Sequence, residues 1–269
     1  MDALVSMWWI AYIGLGIFAG FLAGLLGIGG GGVMVPILVM IFTAQEFPVD
    51  QIMHLALGTS MAAIVFTAIS SVWAHHRHGA VRWDVVHRMT PGVLIGTAVG
   101  TGVATRISGP SLAIFFAIFF TGVSWQMLTN RKPSPHRELP GIGGQSAVGS
   151  LIGFISCLVA IGGGTLTVPF LAWCNVKVQN AIATSAAVGF PIAVGGAIGY
   201  IMNGWGVSEL PYTVGFVYLP AVLGIVFASM PMAPLGAKAA HRLPVLTLKR
   251  IFAVILMVLA VKMAWRVIG

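Results

Sequence analysis

Residues 54–73 contain no Asp, Glu, Lys or Arg, and neither do residues 181–202. About 20 apolar residues in a helix span the hydrocarbon core of a bilayer. Stretches of that length, recurring along one chain, point to a membrane protein, because they cannot build a water-facing surface. Further apolar runs cover residues 7–26, 90–105, 112–128, 147–161, 212–230 and 251–268. Only 7% of the 269 residues are charged, against roughly 25% in a soluble domain. That composition excludes a soluble globular protein and a disordered chain.

Fourteen Lys and Arg stand against six Asp and Glu. The basic residues sit in short loops between apolar runs, as positive-inside orientation requires, so the excess does not indicate a nucleic-acid partner. Cys157 and Cys174 lie in apolar surroundings and form neither a disulfide framework nor a metal-type spacing. Met1 and Asp2 lead straight into the first apolar run. That run is expected to be a membrane segment rather than a cleaved leader.

The chain repeats itself. Residues 28–36 read IGGGGVMVP and residues 161–169 read IGGGTLTVP, six of nine identical. GTSMA at 58–62 is followed in the second copy by ATSAA at 183–187, and PGVLIG at 91–96 by PAVLG at 220–224. Arg106-Ile107 pairs with Arg242-Leu243. Four matches in one order indicate an internal duplication, and two-fold repeats are a mark of secondary transporters. The polar stretch 130–140, rich in Pro, Lys and Arg, divides the copies. The expected organisation is repeat 1 at 1–129, a cytoplasmic linker at 130–145 and repeat 2 at 146–269. Runs 33–42 and 166–173 are too short to cross a bilayer and follow glycine clusters. Each is read as part of a broken helix or hairpin, joined by three transmembrane helices per repeat. Loop 75–88 and the linker are both basic and share a face, whereas 203–210, the counterpart of the first, carries no base. The predicted fold is therefore an all-α polytopic bundle of two inverted repeats. Lys262 and Arg266, near the C-terminus, do not fit this charge pattern.

Candidate chemistry begins at the clusters Gly29, Gly30, Gly31, Gly32 and Gly162, Gly163, Gly164. Broken backbone at membrane depth is tolerated only inside protein or along a cavity. A helix restarting there offers free N–H groups and a positive dipole end, a site for an anion. Close helix packing is the structural alternative, and it suits the stripes Gly16, Gly20, Gly24 and Gly92, Gly96, Gly100. Thr59 and Ser60, Thr184 and Ser185, and also Thr165 and Thr167, add hydroxyl donors near the clusters. Their alternative role is bonding to their own helix backbone. His54, with Gln179 and Asn180 at matching repeat positions, is a candidate for coupling or gating or else an interfacial cap. Lys177 either steers anions or snorkels. His75, His76 and His78 are read as solvated loop residues. No metal site, cofactor motif or nucleotide-binding context is visible, and no catalytic motif suggests an enzyme.

The residues LLGIGGGGVMVPIL, LALGTSMAAI and WAHHRHGAVRWDVV leading into PGVLIGTAVG, with AIGGGTLTVPFL, AIATSAAVG and PAVLG in the second copy, resemble the sulfite exporter TauE/SafE family. The likeness runs over residues 10–268. It implies a multi-pass inner (plasma) membrane exporter of sulfite or an organosulfonate such as sulfoacetate. Substrate contacts would fall at the glycine clusters, Thr59, Ser60, Thr184 and Ser185. Ala183 replaces Gly58 of the first copy, which makes the two half-sites unequal. The partners expected are a small anion and the lipid bilayer. An anion channel, or a permease for sulfate, thiosulfate or a carboxylate, is the alternative; the sequence leaves the oligomeric state open.

Overall fold

The computed structural model describes residues 2–26, 30–129, 138–208, 210–240 and 253–263. The first half holds α1 (Asp2–Leu26), α2 (Gly31–Ala44), α3 (Ile52–Arg77), α4 (Trp83–Ala104) and α5 (Gly109–Leu128). The second holds α6 (Ile142–Val159), α7 (Gly164–Trp173), α8 (Val178–Asn203), β1 (Thr213–Val214), β2 (Val217–Tyr218), α9 (Leu219–Ala240) and α10 (Ala253–Met263). The strands form one antiparallel hairpin, with Thr213 opposite Tyr218. The molecule is an all-α polytopic membrane protein, and six of its described helices are long and apolar enough to cross a bilayer. A lipid interior leaves no water for backbone groups, so helices that satisfy their own N–H and C=O are what such a sequence can form.

Helices α3 and α8 occupy the centre. In their most apolar stretches 78% and 72% of residues are buried, against 33% in α5. Each has 26 residues, about 39 Å at 1.5 Å per residue. They run antiparallel, since Gly58 lies against Tyr200 and Gly196 against Met61.

Glycines set the packing around this pair. Gly16, Gly20 and Gly24 of α1 press on the backbone of Ile225, Ser229 and Ala233 in α9. Gly149 and Gly153 of α6 press in the same way on Met89 and Val93 of α4. A side chain at any of these positions would overlap its neighbour. Gly16 to Gly149, Gly20 to Gly153 and Gly30 to Gly163 are the same step along the chain (149 − 16 = 153 − 20 = 163 − 30 = 133). Apolar helices gain little from hydrophobic burial in lipid, so close backbone approach supplies the contact energy.

The register of α4 and α9 follows the step of Arg106 to Arg242 (242 − 106 = 136) and departs from the pairing of PGVLIG with PAVLG. Gly100 packs on the Phe154 carbonyl and Gly236 on that of Phe21, residues that are themselves one repeat step apart. Packing therefore pairs Gly100 with Gly236, whereas PGVLIG against PAVLG, with its one gap, would place the partner eight residues, or about two turns, earlier. The face that meets α1 decides the register, and a short local likeness does not. Run 212–230 also splits. Tyr212 and Gly215 adopt left-handed conformations (φ 63° and 58°) that bend the chain into the β-hairpin, and α9 begins only at Leu219. Helix α6 starts at Ile142, inside the stretch read as linker. The linker bases Arg131, Lys132 and Arg137, the paired Arg242 and Leu243, and Arg266 lie outside the described residues, as does Gly29.

Candidate functional site

Both glycine clusters break their helices. Gly30 (φ 75°, ψ −8°) and Gly163 (φ 79°, ψ −20°) take the left-handed conformation immediately before α2 and α7. Only glycine adopts it without steric cost. Helix α2 then returns antiparallel to α1: Gly30 rests on the Ala19 carbonyl, and the Tyr12 hydroxyl donates to Gln45 Oε1 at 2.9 Å.

The two breaks meet. Gly31, first residue of α2, fits against the Ala160 carbonyl at the end of α6, and Ile64 in the middle of α3 closes the other side. Gly162 packs on Gly189 of α8, Gly163 on Ile192, and Gly32 on the Phe120 ring. The N–H groups of Val33 and Met34 bond to Gly30 O, and those of Leu166 and Thr167 to Gly163 O. The N–H groups ahead of them, on Gly31, Gly32, Gly164 and Thr165, stand at helix starts with no intrahelical acceptor. Ser60, Thr165 and Thr167 are at most 9% exposed, and their hydroxyl oxygens have no hydrogen-bond partner. Leaving a buried hydroxyl unmatched costs about 1–3 kcal/mol.

Thr59 and Thr184 are engaged differently. Thr59 Oγ1 accepts the backbone N–H of Tyr218 at 3.0 Å, and Thr184 Oγ1 accepts that of Arg82 at 3.0 Å. Tyr218 and Arg82 are the residues immediately before α9 and α4. Ser185 Oγ donates to the Ile182 carbonyl at 2.8 Å. His54 is buried, its Nε2 lies 3.2 Å from Ala104 O and 3.1 Å from Ile107 O, and its ring stacks on Phe216. It thus caps the end of α4, since an N–H there satisfies carbonyls the helix leaves open. Asn180 Nδ2 donates to Ala80 O at 3.0 Å, while Gln179 and Lys177 are exposed.

His75 is not the loop residue its sequence neighbours suggested. It is 1% exposed, lies within α3, and its Nε2 sits 3.2 Å from Gly24 O. Tyr200 does the same in the second half, donating to Cys157 O at 2.8 Å. The charge-rich setting of HHRH hid this, although Thr67, Ser71 and His75 recur every four residues on one helical face. His76 accepts from Trp83 Nε1 at 3.2 Å. Among the described residues, no group of three or more His, Cys, Asp and Glu could hold a metal ion. A small cavity beside the second break is lined by Ala23, Thr67, Ser71, Gly162 and Gly189, with room for about one water molecule.

Packed apolar spans around two touching helix breaks define a polytopic membrane protein of transporter type. The chain belongs to the sulfite exporter TauE/SafE family, whose model matches residues 12–263. It is 38% identical over 251 residues to a "Probable membrane transporter protein" of Haemophilus influenzae, covering 93% of this chain and 95% of that one. A relative with the same description in Methanocaldococcus jannaschii is 28% identical, with 83% of each chain covered. One in Bacillus subtilis is 27% identical over 74% of this chain and 80% of its own. No solved structure matches.

Proposed function

We propose that the protein exports a small sulfur-containing oxyanion, sulfite or an organosulfonate such as sulfoacetate, across the plasma (inner) membrane. The anion is held where the two breaks meet. Backbone N–H groups at the starts of α2 and α7 and the hydroxyls of Ser60, Thr165 and Thr167 donate to its oxygens. The observation that supports this reading is the seating of Gly31, first residue of α2, on the Ala160 carbonyl just ahead of the second break, with Ile64 of α3 beside it and Gly162 against Gly189 of α8. Helix starts suit an anion at membrane depth because partial positive charge is supplied without burying a cation.

The two halves, 1–129 and 146–269, act as inverted repeats joined by a cytoplasmic linker, and transport proceeds by rocking one against the other. Reciprocal packing of α1 on α9 and α6 on α4, and the antiparallel course of α3 and α8, support the inversion. An inside-negative potential drives the export of an anion by roughly 2.3 kcal/mol per charge per 100 mV, so uniport suffices. His54, occupied by two carbonyls, serves the helix end in this scheme.

The test is thermal stabilisation of the purified protein by sulfite, sulfoacetate, sulfate, thiosulfate and acetate, together with uptake into proteoliposomes. A sulfur oxyanion should raise the melting temperature, since a ligand bound to the native state stabilises it, and should show saturable, counterflow-stimulated flux. Stabilisation by carboxylates alone would reassign the substrate. Single-channel currents in place of counterflow would make the protein a channel.

A further inference from the structure

The duplicated architecture allows one half of the path to be compared with the other, and the two differ. His75 and Tyr200 hold equivalent carbonyls, Gly24 O and Cys157 O, each just ahead of its helix break. Stepping back by the same number of residues sets Ile192 opposite Thr67 and Gly196 opposite Ser71 (200 − 192 = 75 − 67; 200 − 196 = 75 − 71). Toward the Arg82 face, α3 thus offers two buried hydroxyls. At the equivalent positions toward the Tyr218 face, Ile192 and Gly196, α8 offers none. Ile192 fills its place by packing on Gly163. Beyond it that face is closed by aromatic rings: Phe42 and Phe47 stack at 5.0 Å, and Tyr218 meets both edge-on at 5.7 and 5.1 Å. Arg82 takes the place of Tyr218 on the opposite side, as the paired threonine bonds show.

Thr67 and Ser71 also line the small cavity at Gly162. Thr67 Oγ1 lies 3.1 Å from Ala63 O and 2.8 Å from Ser229 Oγ. Ser71 Oγ is 3% exposed and has no partner. A buried donor without an acceptor, facing a cavity on a helix break, fits an anion passing through it.

Resting on the exporter reading above, we infer that Thr67 and Ser71 form a second anion station on the Arg82 side of the breaks. A small oxyanion of sulfur halts there once the rocking of the halves has widened the one-water cavity, accepting from the Ser71 hydroxyl, before it reaches the junction of α2 and α7. Access on that side therefore runs along the polar face of α3, and the apolar face of α8 does not offer a matching stop.

The experiment compares Ser71→Cys with Ile192→Cys in liposomes, using the anionic reagent 2-sulfonatoethyl methanethiosulfonate. Both native cysteines are buried, and unsubstituted protein supplies the background rate. Ser71→Cys should react at least about tenfold faster than Ile192→Cys, from the face that labels Arg82→Cys, and sulfate should slow it. Equal rates, reaction from the other face, or no reaction while Arg82→Cys labels fully would overturn the station. Ser71→Ala gives an independent measure. It should raise the KM for sulfite uptake about fivefold with an unchanged melting temperature, and an unchanged KM counts against the station. If no anion is transported or bound by the unsubstituted protein, the exporter reading fails, and the labelling contrast still decides whether the polar path exists.

Discussion

Thr59 and Thr184 make the same bond from opposite halves of the molecule. Each accepts, at 3.0 Å, the N–H of the residue before a helix of the other half, Tyr218 ahead of α9 and Arg82 ahead of α4. The partners are 159 and 102 residues away in sequence. Two reciprocal bonds of this kind join α3 to the start of α9 and α8 to the start of α4, each across the two halves.

Replacing either threonine by valine keeps the shape and removes the acceptor. Thr59→Val and Thr184→Val should each destabilise by about 1 kcal/mol, within the range for a polar contact between membrane helices and for a stranded buried N–H. Thr→Ser at either position should retain most of the stability. Melting temperatures in detergent check this, and a loss confined to one half would contradict the equivalence.

Gly31→Ala should abolish the native fold, because the new methyl would overlap the Ala160 carbonyl, and Gly189→Ala should do the same against Gly162. Gly14→Ala, with open space around it, should change the melting temperature by no more than a degree or two. Size-exclusion profiles and thermal unfolding separate the outcomes.

Ser60→Ala and Thr165→Val remove hydroxyls that have no protein partner. Stability should hold or rise, since an unsatisfied buried group disappears. Anion affinity should fall roughly tenfold for each lost hydrogen bond of about 1.4 kcal/mol. Sulfite titration followed by thermal shift reads both quantities, and unchanged affinity in both variants would move the anion elsewhere.

His54→Gln should lower thermal stability, as contacts to Ala104 O, Ile107 O and the Phe216 ring weaken. The pH profile of uptake should stay as it is. A flattened profile would instead make His54 a carrier of coupled protons.

Single cysteines at Arg82 and Val207 report the inversion. Thr184 binds the Arg82 backbone near the start of α8, and Val207 follows the end of that helix. The two should label from opposite faces with an impermeant thiol reagent. Labelling from one face would remove the inverted arrangement.

Much of this molecule is legible in its sequence. Long uncharged runs dictate membrane helices because hydrocarbon admits little else, and consecutive glycines dictate a break because they carry no Cβ to hold the helical conformation. Both properties are local to the chain. Which hydroxyls are spoken for was not legible. Thr59 and Ser60 are adjacent and chemically alike, yet one holds a distant helix start and the other has no partner. The burial of His75, the register of α9 and the hairpin ahead of it were likewise fixed by neighbours from other parts of the chain. Composition and period determined what the segments are; only tertiary packing decided which faces meet, because a helix can present any of its sides to a partner until close backbone contact selects one.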